Sequence, residues 1–549
     1  MRALLISGMG PEYPDNRLLR GSSFEALLDS DAAASRKRTF DLSTLRFRTE
    51  DGRVVPLLRA RRDGGGARAA GGDAPSSERR PKAEKAQHLT TFTLESILSG
   101  AGVEFDTLST EHIWKGVGAE PSGRRDTILL STTFIWDRRT LRKAIAWIEQ
   151  RFPDATLILG GQYSNLKFDQ IMRDHRFVDF IIRGDAEFAL PELLDKLDTG
   201  GDPGTVPNVV FRDRDGRLRL TQIAYIDLDQ NPSPSPDGYS PIVPYESMRG
   251  CPFSCNFCSF PAASPLWRYK SADKIARDWE HYKIRHGAHY IKALDSTFTV
   301  PPTRLKELLP KLAAIDIQWE AYTRANSIKN VDLVRELEDS GCRSLFLGFE
   351  SMSDTTLQYM DKKVTARANR IAHELLREST IKHFVSFIVG YPGENPELFE
   401  ETKMFLVNEF AGEFALYVCM LQDETMPVWR DAERFDLQVH DPSGEARIWS
   451  HSGMDSETAV RLQQETLRDV RWKNDNAIFR SWQHDFESPL VSGKSRQENA
   501  AVEKLVDRLG MIGVDVEDDG RARCLEDRLV AELGVHGVTI SSEDNASGR

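Results

Sequence analysis

Three of the six cysteines in this chain lie in one short stretch, Cys251-Pro252-Phe253-Ser254-Cys255-Asn256-Phe257-Cys258. Thiolates at this spacing can converge on one metal centre, and an iron–sulfur cluster is the usual occupant in a chain that is not rich in disulfides. A cluster used only for electron transfer takes a fourth cysteine, so a set of three leaves one metal position open for a substrate. Because no histidine or fourth cysteine lies at ligand spacing, a structural zinc site is disfavoured.

Length and composition describe a multidomain globular protein. Its 549 residues exceed what one hydrophobic core usually holds, so we expect about two to four domains. Apolar runs such as 384–389 are strand-sized, far below the ~20 residues of a membrane helix, and residues 1–7 lack a signal-peptide pattern. These features predict a cytoplasmic protein with reduced thiols. The net charge of -12 argues against a nucleic-acid partner.

Strands and helices alternate over residues 1–230, which predicts an amino-terminal α/β domain with a doubly wound, mostly parallel sheet. The predicted strands are 2–7, 103–108, 127–132, 156–159 and 177–182. Ligands of such sheets lie beyond the carboxyl ends of the strands, where Gly160, Gly161 and Gly184 stand in this sequence. Gly, Ala, Pro and Ser dominate a segment with basic flanks, and about 61–88 is predicted to be a disordered insertion.

A second series of strands and helices follows a Pro-rich linker at 231–241. Residues 242–425 repeat a βα unit whose motif loops come after the strands, which predicts a partial (β/α)6 barrel. Residues 426–490 are predicted to be a mainly helical cap over the barrel. Residues 491–549 are predicted to form a small carboxy-terminal module with a disordered tail.

The cysteine stretch resembles the C-x3-C-x2-C signature of the radical S-adenosylmethionine (SAM) superfamily, with Phe257 before the last cysteine. Further landmarks of that superfamily recur in order. They are Asp295-Ser296-Thr297-Phe298, Arg324-Ala325-Asn326-Ser327-Ile328, Gly348-Phe349-Glu350-Ser351 and Gly390-Tyr391-Pro392-Gly393-Glu394. The resemblance implies that Cys251, Cys255 and Cys258 hold a 4Fe-4S cluster whose open iron binds SAM. The reduced cluster would then cleave SAM to a deoxyadenosyl radical.

The same resemblance implies roles for residues at the strand ends. Phe257 would line the adenine, and Asp295, Arg324, Glu350 and Gly390 would bind SAM. A plain ion pair explains any one of these charges about as well, and their shared position at strand ends favours the ligand role.

Two glycine-containing segments of the first domain, Gly160-Gly161-Gln162-Tyr163 and Arg183-Gly184-Asp185-Ala186-Glu187, resemble the cobalamin-binding domains that are joined to radical SAM domains. The Asp-x-His-x-x-Gly motif that ligates cobalt in other cobalamin proteins is missing, so the resemblance implies a cofactor without a lower histidine ligand. A doubly wound domain with no cofactor stays open, because two glycines after a strand are common turn chemistry.

Together the two regions are similar to the cobalamin-dependent (class B) radical SAM methyltransferases. The family reaction uses one SAM to methylate cobalt and a second to start the radical, and it needs an external reductant of the flavodoxin or ferredoxin type. Domain order and the helical tail resemble the P-methyltransferases of phosphinate biosynthesis, in which methyl goes to a P–H phosphinate. Lys292, Arg268 and Arg324 are the predicted partners of that anionic small molecule.

Several alternatives follow from the same residues. A C-methyltransferase of an antibiotic or peptide precursor and a cobalamin-linked radical SAM cyclase use the same parts. A methylthiotransferase acting on RNA is disfavoured, because it needs a second cysteine set and no cysteine precedes Cys251. A non-enzymatic cobalamin and redox sensor would not explain the SAM-like landmarks.

Overall fold

A computed structural model of the chain describes residues 2–8, 45–48, 54–56, 87–116, 123–135, 137–421, 425–440, 448–479 and 494–540. The predicted disordered insertion, apart from residues 87 and 88, and the predicted disordered tail at 541–549 lie outside the described residues. None of the helices within those ranges combines the length and the apolarity that crossing a bilayer takes.

Strands and helices alternate through most of the described chain. The strands, in chain order, are β1 (Arg2–Ser7), β2 (Leu45–Arg48), β3 (Val54–Pro56), β4 (Glu104–Ser109), β5 (Thr127–Ser131), β6 (Thr156–Gly160), β7 (Phe180–Ile182), β8 (Val209–Arg212), β9 (Leu218–Leu220), β10 (Ile242–Tyr245), β11 (Met248–Arg249), β12 (Arg268–Tyr269), β13 (Tyr290–Ala293), β14 (Gln318–Arg324), β15 (Cys342–Glu350), β16 (Lys382–Val389), β17 (Gly412–Val418), β18 (Gln438–Val439), β19 (Trp449–Ser450), β20 (Ala477–Phe479) and β21 (Val538–Ile540). The α-helices are α1 (Leu89–Gly100), α2 (Glu111–Lys115), α3 (Arg138–Arg151), α4 (Gln162–Asp174), α5 (Ala189–Thr199), α6 (Phe260–Ala263), α7 (Ala272–His286), α8 (Pro302–Ile315), α9 (Val331–Asp339), α10 (Asp354–Tyr359), α11 (Ala366–Arg377), α12 (Pro396–Asn408), α13 (Ser456–Lys473), α14 (Arg496–Asp515) and α15 (Asp519–Val535).

Many helices begin where a short polar side chain caps the first turn. Asp137, Asn395 and Asp455 each accept a hydrogen bond from the backbone N–H three residues ahead. Ser495 and Glu498 form a reciprocal capping box at the start of α14. Such caps satisfy donors that the helix itself leaves unpaired, so the local sequence sets these starts.

The amino-terminal sheet has the strand order β4-β1-β5-β6-β7-β8-β9. Its first five strands are parallel, and β8 and β9 are antiparallel additions at one edge. Numbered by their order in the chain, the parallel strands run 2-1-3-4-5, the flavodoxin-like doubly wound order. The predicted doubly wound sheet is therefore confirmed. Successive residues of a strand point to opposite faces of the sheet, so Leu4 and Leu5 pack into two separate apolar cores.

The second sheet has the order β10-β13-β14-β15-β16-β17-β20, and every neighbouring pair is parallel. Its first six strands are the predicted partial barrel. The seventh, β20, lies inside the region predicted to be a mainly helical cap. A three-residue apolar run carries no period that marks a strand, and its pairing with β17 is a contact between residues far apart in the sequence.

A third, antiparallel sheet joins distant parts of the chain. Strand β2 pairs with β21 on one side and with β3 on the other. Leu45 of β2 packs into the apolar core of helices α14 and α15, beside Val506 and Leu533. Residues 45–56 fall within the predicted first domain, yet the structure places their strands in the carboxy-terminal module. The domain boundary is therefore not a single cut in the sequence.

Buried ion pairs attach helix α14 to helix α13. Arg471 on α13 is 3% exposed, and its guanidinium lies 3.0 Å from a carboxylate oxygen of Asp507 and 2.7 Å from one of Asp515. The indole N–H of Trp472 donates to the same Asp515 carboxylate. Hence the charge of Arg471 is balanced inside the interface.

We expect Arg471→Met to destabilise the attachment of the carboxy-terminal module. The substitution leaves two carboxylates without their cation, and removing one partner of a buried pair costs about 3 kcal/mol. Urea denaturation and hydrogen exchange of helix α14 measure the loss. The control is Arg528→Met, which removes an exposed arginine from its pair with Glu532 and should leave exchange unchanged. Equal exchange in both variants would contradict the role of the buried pair.

Candidate functional site

The carboxyl edge of the second sheet carries the predicted SAM-site residues. The cysteine stretch follows β10 and β11, Asp295 follows β13, Arg324 and Glu350 end β14 and β15, and Gly390 follows β16. Strands β10, β13, β14, β15 and β16 are consecutive neighbours in the sheet. Because carboxyl ends of parallel strands share one edge, residues that are far apart in the sequence are brought to one mouth.

Backbone hydrogen bonds hold the cysteine stretch in place. The N–H of Asn256 donates to the carbonyl of Met360 at 2.8 Å, and its carbonyl accepts from the N–H of Val428 at 2.9 Å. The side-chain amide of Asn256 donates to the carbonyl of Tyr359 at 3.0 Å. The Ser296 hydroxyl donates to the carbonyl of Gly250 at 2.9 Å. The stretch is thus tied to segments that follow β13, β15 and β17.

Two of the three thiols, those of Cys255 and Cys258, have different surroundings. Cys255 is buried, and Arg324 donates from Nη1 to its sulfur at 3.3 Å. Burial raises the pKa of Cys258 to about 11, and the nearby thiols of Cys255 and Cys251 act in the same direction. A thiolate at Cys258 therefore needs a positive partner, which a bound metal supplies.

Within the described ranges, no three His, Cys, Asp or Glu side chains surround the position of a single metal ion. A cluster makes a different demand, because each of its irons takes its own thiolate. Cys251, Cys255 and Cys258 lie on one anchored loop and are close enough to influence each other electrostatically. Arg324 donates to one of the three sulfurs. This arrangement matches what a cluster needs. The residues present therefore fit a three-thiolate cluster.

Asp295 is buried at 3% exposure. Its carboxylate accepts from the backbone N–H groups of Ser247 at 2.7 Å and Met248 at 3.0 Å, and from the Ser247 hydroxyl. Burial raises the pKa of Asp295 to about 6, against the lowering effect of the Ser247 hydrogen bonds and of Arg304. The structure thus shows Asp295 holding the strand that leads into the cysteine stretch, and its contact with SAM stays a prediction.

The other predicted SAM residues also have internal partners. Glu350 accepts from Lys362 Nζ at 2.9 Å, and the same ammonium lies 5.3 Å from the centre of the half-buried Phe257 ring. Gly390 has φ +82°, its N–H donates to Glu394, and a Cβ there would meet Trp449 at 2.6 Å. Only glycine fits this turn. Binding of SAM by these three residues stays a prediction.

A cavity of about 410 Å³ lies between the amino-terminal sheet and the segments on either side of the cysteine stretch. That volume is in the range of ligand sites, about 300–1,000 Å³. Gly160, Gly161 and Gly184 line it together, as the sequence predicts. At Gly161, φ is +107° and a Cβ would meet the backbone nitrogen of Thr133 at 2.7 Å, so glycine is required there.

The wall of the cavity has an apolar side and a polar side. The apolar side chains come from helix α1 and the amino-terminal sheet, and include Leu5, Leu94, Ile97, Leu129, Ile158 and Ile182. The polar side comes from the hairpin β11–β12 and from the loop after β7. Helix α6, which directly follows the cysteine stretch, closes the barrel side. The segments that flank the cysteine stretch therefore face the glycine loops across the cavity.

Two cross-strand arginines of the hairpin bind one carboxylate of the other domain. Asp185 accepts from Arg249 Nη1 at 2.9 Å and from Arg268 Nη1 at 2.9 Å. Arg249 Nη1 also donates to Glu187 at 3.0 Å, and its Nε donates to Glu246 at 2.9 Å. Burial opposes ionisation of Asp185, but Arg268 and Arg249 hold its pKa below the usual value. The pair fastens the glycine loop to the segment that enters the cysteine stretch.

The predicted partners of a substrate anion already have protein partners. Arg268 binds Asp185, Lys292 lies 3.7 Å from Glu320, and Arg324 donates to the Cys255 sulfur and to the Lys362 carbonyl. Charged groups that leave water are normally balanced locally, which explains these pairings. Within the segment 183–187 only Gly184 is predicted, whereas the structure involves the charged neighbours Arg183, Asp185 and Glu187 in the site. Their position directly after a strand is the signal that could have identified them.

Known proteins share parts of this arrangement. Residues 245–406 match the family model described as the radical SAM superfamily. An uncharacterized methyltransferase of Pyrococcus horikoshii is 26% identical over 293 residues, which are 51% of this chain and 62% of that protein. The anaerobic magnesium-protoporphyrin IX monomethyl ester cyclase of Cereibacter sphaeroides is 27% identical over 270 residues, which are 46% of this chain and 44% of the cyclase. The chain thus spans less than two thirds of the length of these relatives.

A solved structure resembles most of the chain. TsrM, a radical SAM methyltransferase from Kitasatospora setae solved with cobalamin and a 4Fe-4S cluster bound, has a TM-score of 0.54 at 14% identity. The superposition covers 81% of this chain and 96% of TsrM. At this identity the likeness concerns the fold, and it agrees with the predicted succession of a doubly wound domain and a barrel.

We expect Asp185→Asn to loosen the interface between the two large sheets. The substitution leaves two partly buried arginines without their shared carboxylate, at a cost of about 3 kcal/mol. Faster hydrogen exchange of residues 245–270 and a lower melting temperature are the expected results. Asp213→Asn is the matched control, because Asp213 accepts from Arg219 in an exposed turn. Unchanged exchange at 245–270 in Asp185→Asn would show that this pair does not hold the interface.

Proposed function

This chain carries a radical SAM domain at residues 245–406, and from that premise we propose that it is a cobalamin-dependent radical SAM methyltransferase. The observation that carries the proposal is the cavity lined on one side by the glycine loops and on the other by Arg249 and helix α6, the segments that directly precede and follow the cysteine stretch. A methyl donor and a radical initiator must meet the same substrate, so their sites have to open toward each other.

The barrel side of this interface supplies the site for a cluster and SAM. A bound cluster would deliver the electron that cleaves SAM. Cys251, Cys255 and Cys258 would be its ligands, while Arg324 donates to the Cys255 sulfur. Asp295 and the backbone contacts of Asn256 keep the loop in one conformation. Phe257 and the buried Glu350–Lys362 pair shield the same edge from water.

The amino-terminal side supports a cobalamin site, whose occupant would carry the methyl group. Gly160, Gly161 and Gly184 let the backbone approach a large ligand, and the apolar side of the cavity suits a macrocycle. None of the described residues lining the cavity is His, Cys or Met. That composition agrees with a cofactor that has no lower protein ligand. TsrM, which has this fold, was solved with cobalamin bound.

The proposed acceptor is the phosphorus of a P–H phosphinate, as in phosphinothricin-type biosynthesis. In the balanced reaction one SAM gives its methyl group and leaves as S-adenosylhomocysteine. A second SAM yields methionine and 5′-deoxyadenosine, whose 5′-methyl group contains the hydrogen atom removed from the P–H bond. Two electrons come from an external flavodoxin- or ferredoxin-type donor. The reducing cytoplasm is the proposed location, because a cluster of this kind needs low potential.

Two other reactions use the same parts. A C-methyltransferase of an antibiotic or peptide precursor differs only in the acceptor atom. A cobalamin-linked cyclase is the other candidate, and one relative of this chain is named a cyclase. Methyl transfer to the acceptor separates the methyltransferases from the cyclase, and the acceptor atom separates the two methyltransferases.

We expect the anaerobically reconstituted protein to transfer labelled methyl from SAM to a P–H phosphinate in the presence of cobalamin and a strong reductant. Mass spectrometry identifies the product, and parallel reactions offer carbon substrates from antibiotic biosynthesis. Methylation of carbon alone would overturn the phosphinate assignment. A ring-closed product without added methyl would favour the cyclase.

Cys255→Ala should abolish the formation of 5′-deoxyadenosine and lower the iron bound per chain, because a cluster ligand is lost. Iron analysis and chromatography of the SAM products measure both effects. The control is Cys419→Ala, since Cys419 is equally buried at 4% exposure but lies outside the stretch. Retention of activity in Cys255→Ala would contradict the assignment of this cysteine as a ligand.

A further inference from the structure

Three arginines line the interdomain cavity, and they differ in their partners. Arg249 and Arg268 bind Asp185 of the amino-terminal domain. Arg183, at the carboxyl end of β7, is half-buried and has no carboxylate within ion-pair distance among the residues that the structure describes. An arginine that has left water without a counter-charge is costly unless something else supplies the charge.

The orientation of Arg183 is set by two contacts on helix α4. Its Nε donates to Asn165 Oδ1 at 3.2 Å, and its guanidinium carbon lies 4.0 Å from the centre of the Phe168 ring. These contacts occupy one edge and one face of the guanidinium. Its Nη atoms have no hydrogen-bond acceptor within the described ranges. A planar fork with its outer donors available is the geometry that grips an oxyanion in bidentate fashion.

Asn165 connects this arginine with the barrel. Its side-chain amide donates to the carbonyl of Ala263 in helix α6, across the interface. Arg183 is therefore oriented by a residue that also contacts the segment following the cysteine stretch. Burial lowers the pKa of Arg183 from its ordinary value, but an arginine stays charged at neutral pH.

We propose that Arg183 is the anion-binding residue of the interdomain cavity and that it takes a phosphate-type oxyanion through its Nη donors. The inference rests on the proposed function, which puts two such anions at this interface. One is the phosphodiester of the nucleotide tail of cobalamin, and the other is the phosphinate group of the acceptor.

Corrinoid binding separates the two sources. Hydroxocobalamin carries the phosphodiester, whereas aquacobinamide has the same macrocycle without the nucleotide tail. Titrations followed by visible absorption give dissociation constants for the wild-type protein, Arg183→Gln and Arg183→Lys. Phenylphosphinate, a simple P–H phosphinate, is then titrated into cobinamide-loaded protein by calorimetry.

If the anion is the cobalamin phosphodiester, Arg183→Gln weakens cobalamin binding about 10- to 100-fold, as expected for a charged hydrogen-bonding partner, and leaves cobinamide binding unchanged. If it is the phosphinate, both corrinoids bind as before and phenylphosphinate affinity falls by a similar factor. Arg183→Lys should lie between wild type and Arg183→Gln in either case, because lysine keeps the charge and loses the fork.

Other outcomes overturn the inference. Equal affinities of wild type and Arg183→Gln for all three probes would show that Arg183 binds no anion. Equal weakening of cobalamin and cobinamide would show a structural role instead. Arg173→Gln is the matched control, since Arg173 pairs with Asp169 on the exposed face of helix α4, the helix that carries Asn165 and Phe168. A wild-type protein that binds neither corrinoid would refute the proposed function itself, and the inference with it.

Discussion

The site depends on one carboxylate, Asp185, which binds two arginines of the facing domain. Arg249 and Arg268 stand opposite each other in the β11–β12 hairpin, so a single acid fastens both strands. Arg249 is two residues before Cys251, and Asp185 directly follows Gly184. These ion pairs thus tie the segment that enters the cysteine stretch to the glycine loop. Asp185, Arg249 and Arg268 all line the cavity, so this contact forms part of its wall.

Each sheet delivers its loops by the same geometry. In a parallel sheet all carboxyl ends lie along one edge, so Cys255, Arg324 and Gly390 meet without being near in sequence. Buried charges at this edge are balanced in pairs, as Glu350 is by Lys362. Among the three arginines that line the cavity, Arg183 differs from Arg249 and Arg268, because no carboxylate of the described residues lies within ion-pair distance of it. Buried acids such as Asp295 accept hydrogen bonds from backbone N–H groups.

Much of the architecture follows from local patterns. Alternating strands and helices predict both parallel sheets, and Gly160, Gly161 and Gly184 are correctly expected to lie together at a strand-end edge. Pairings between charges that are distant in the sequence were not predicted. Arg268 and Lys292 have the charge that a substrate anion needs, but Asp185 and Glu320 lie beside them in space. Strand β20 was missed because a run of three residues shows no hydrophobic periodicity. Residues 45–48, which form β2, were assigned to the first domain because their partner strand β21 lies at the other end of the chain.

The sequence by itself determined the cysteine spacing, the glycines at strand ends and the alternation that makes two α/β domains, because these depend on residues a few positions apart. Only the tertiary structure decided which charges neutralise each other, which strands complete each sheet and where the two domains leave a cavity. Those outcomes depend on contacts between residues separated by tens or hundreds of positions, and such contacts leave no local pattern. The cysteine stretch could be identified from the sequence, whereas only the folded chain shows that no carboxylate among the described residues pairs with Arg183.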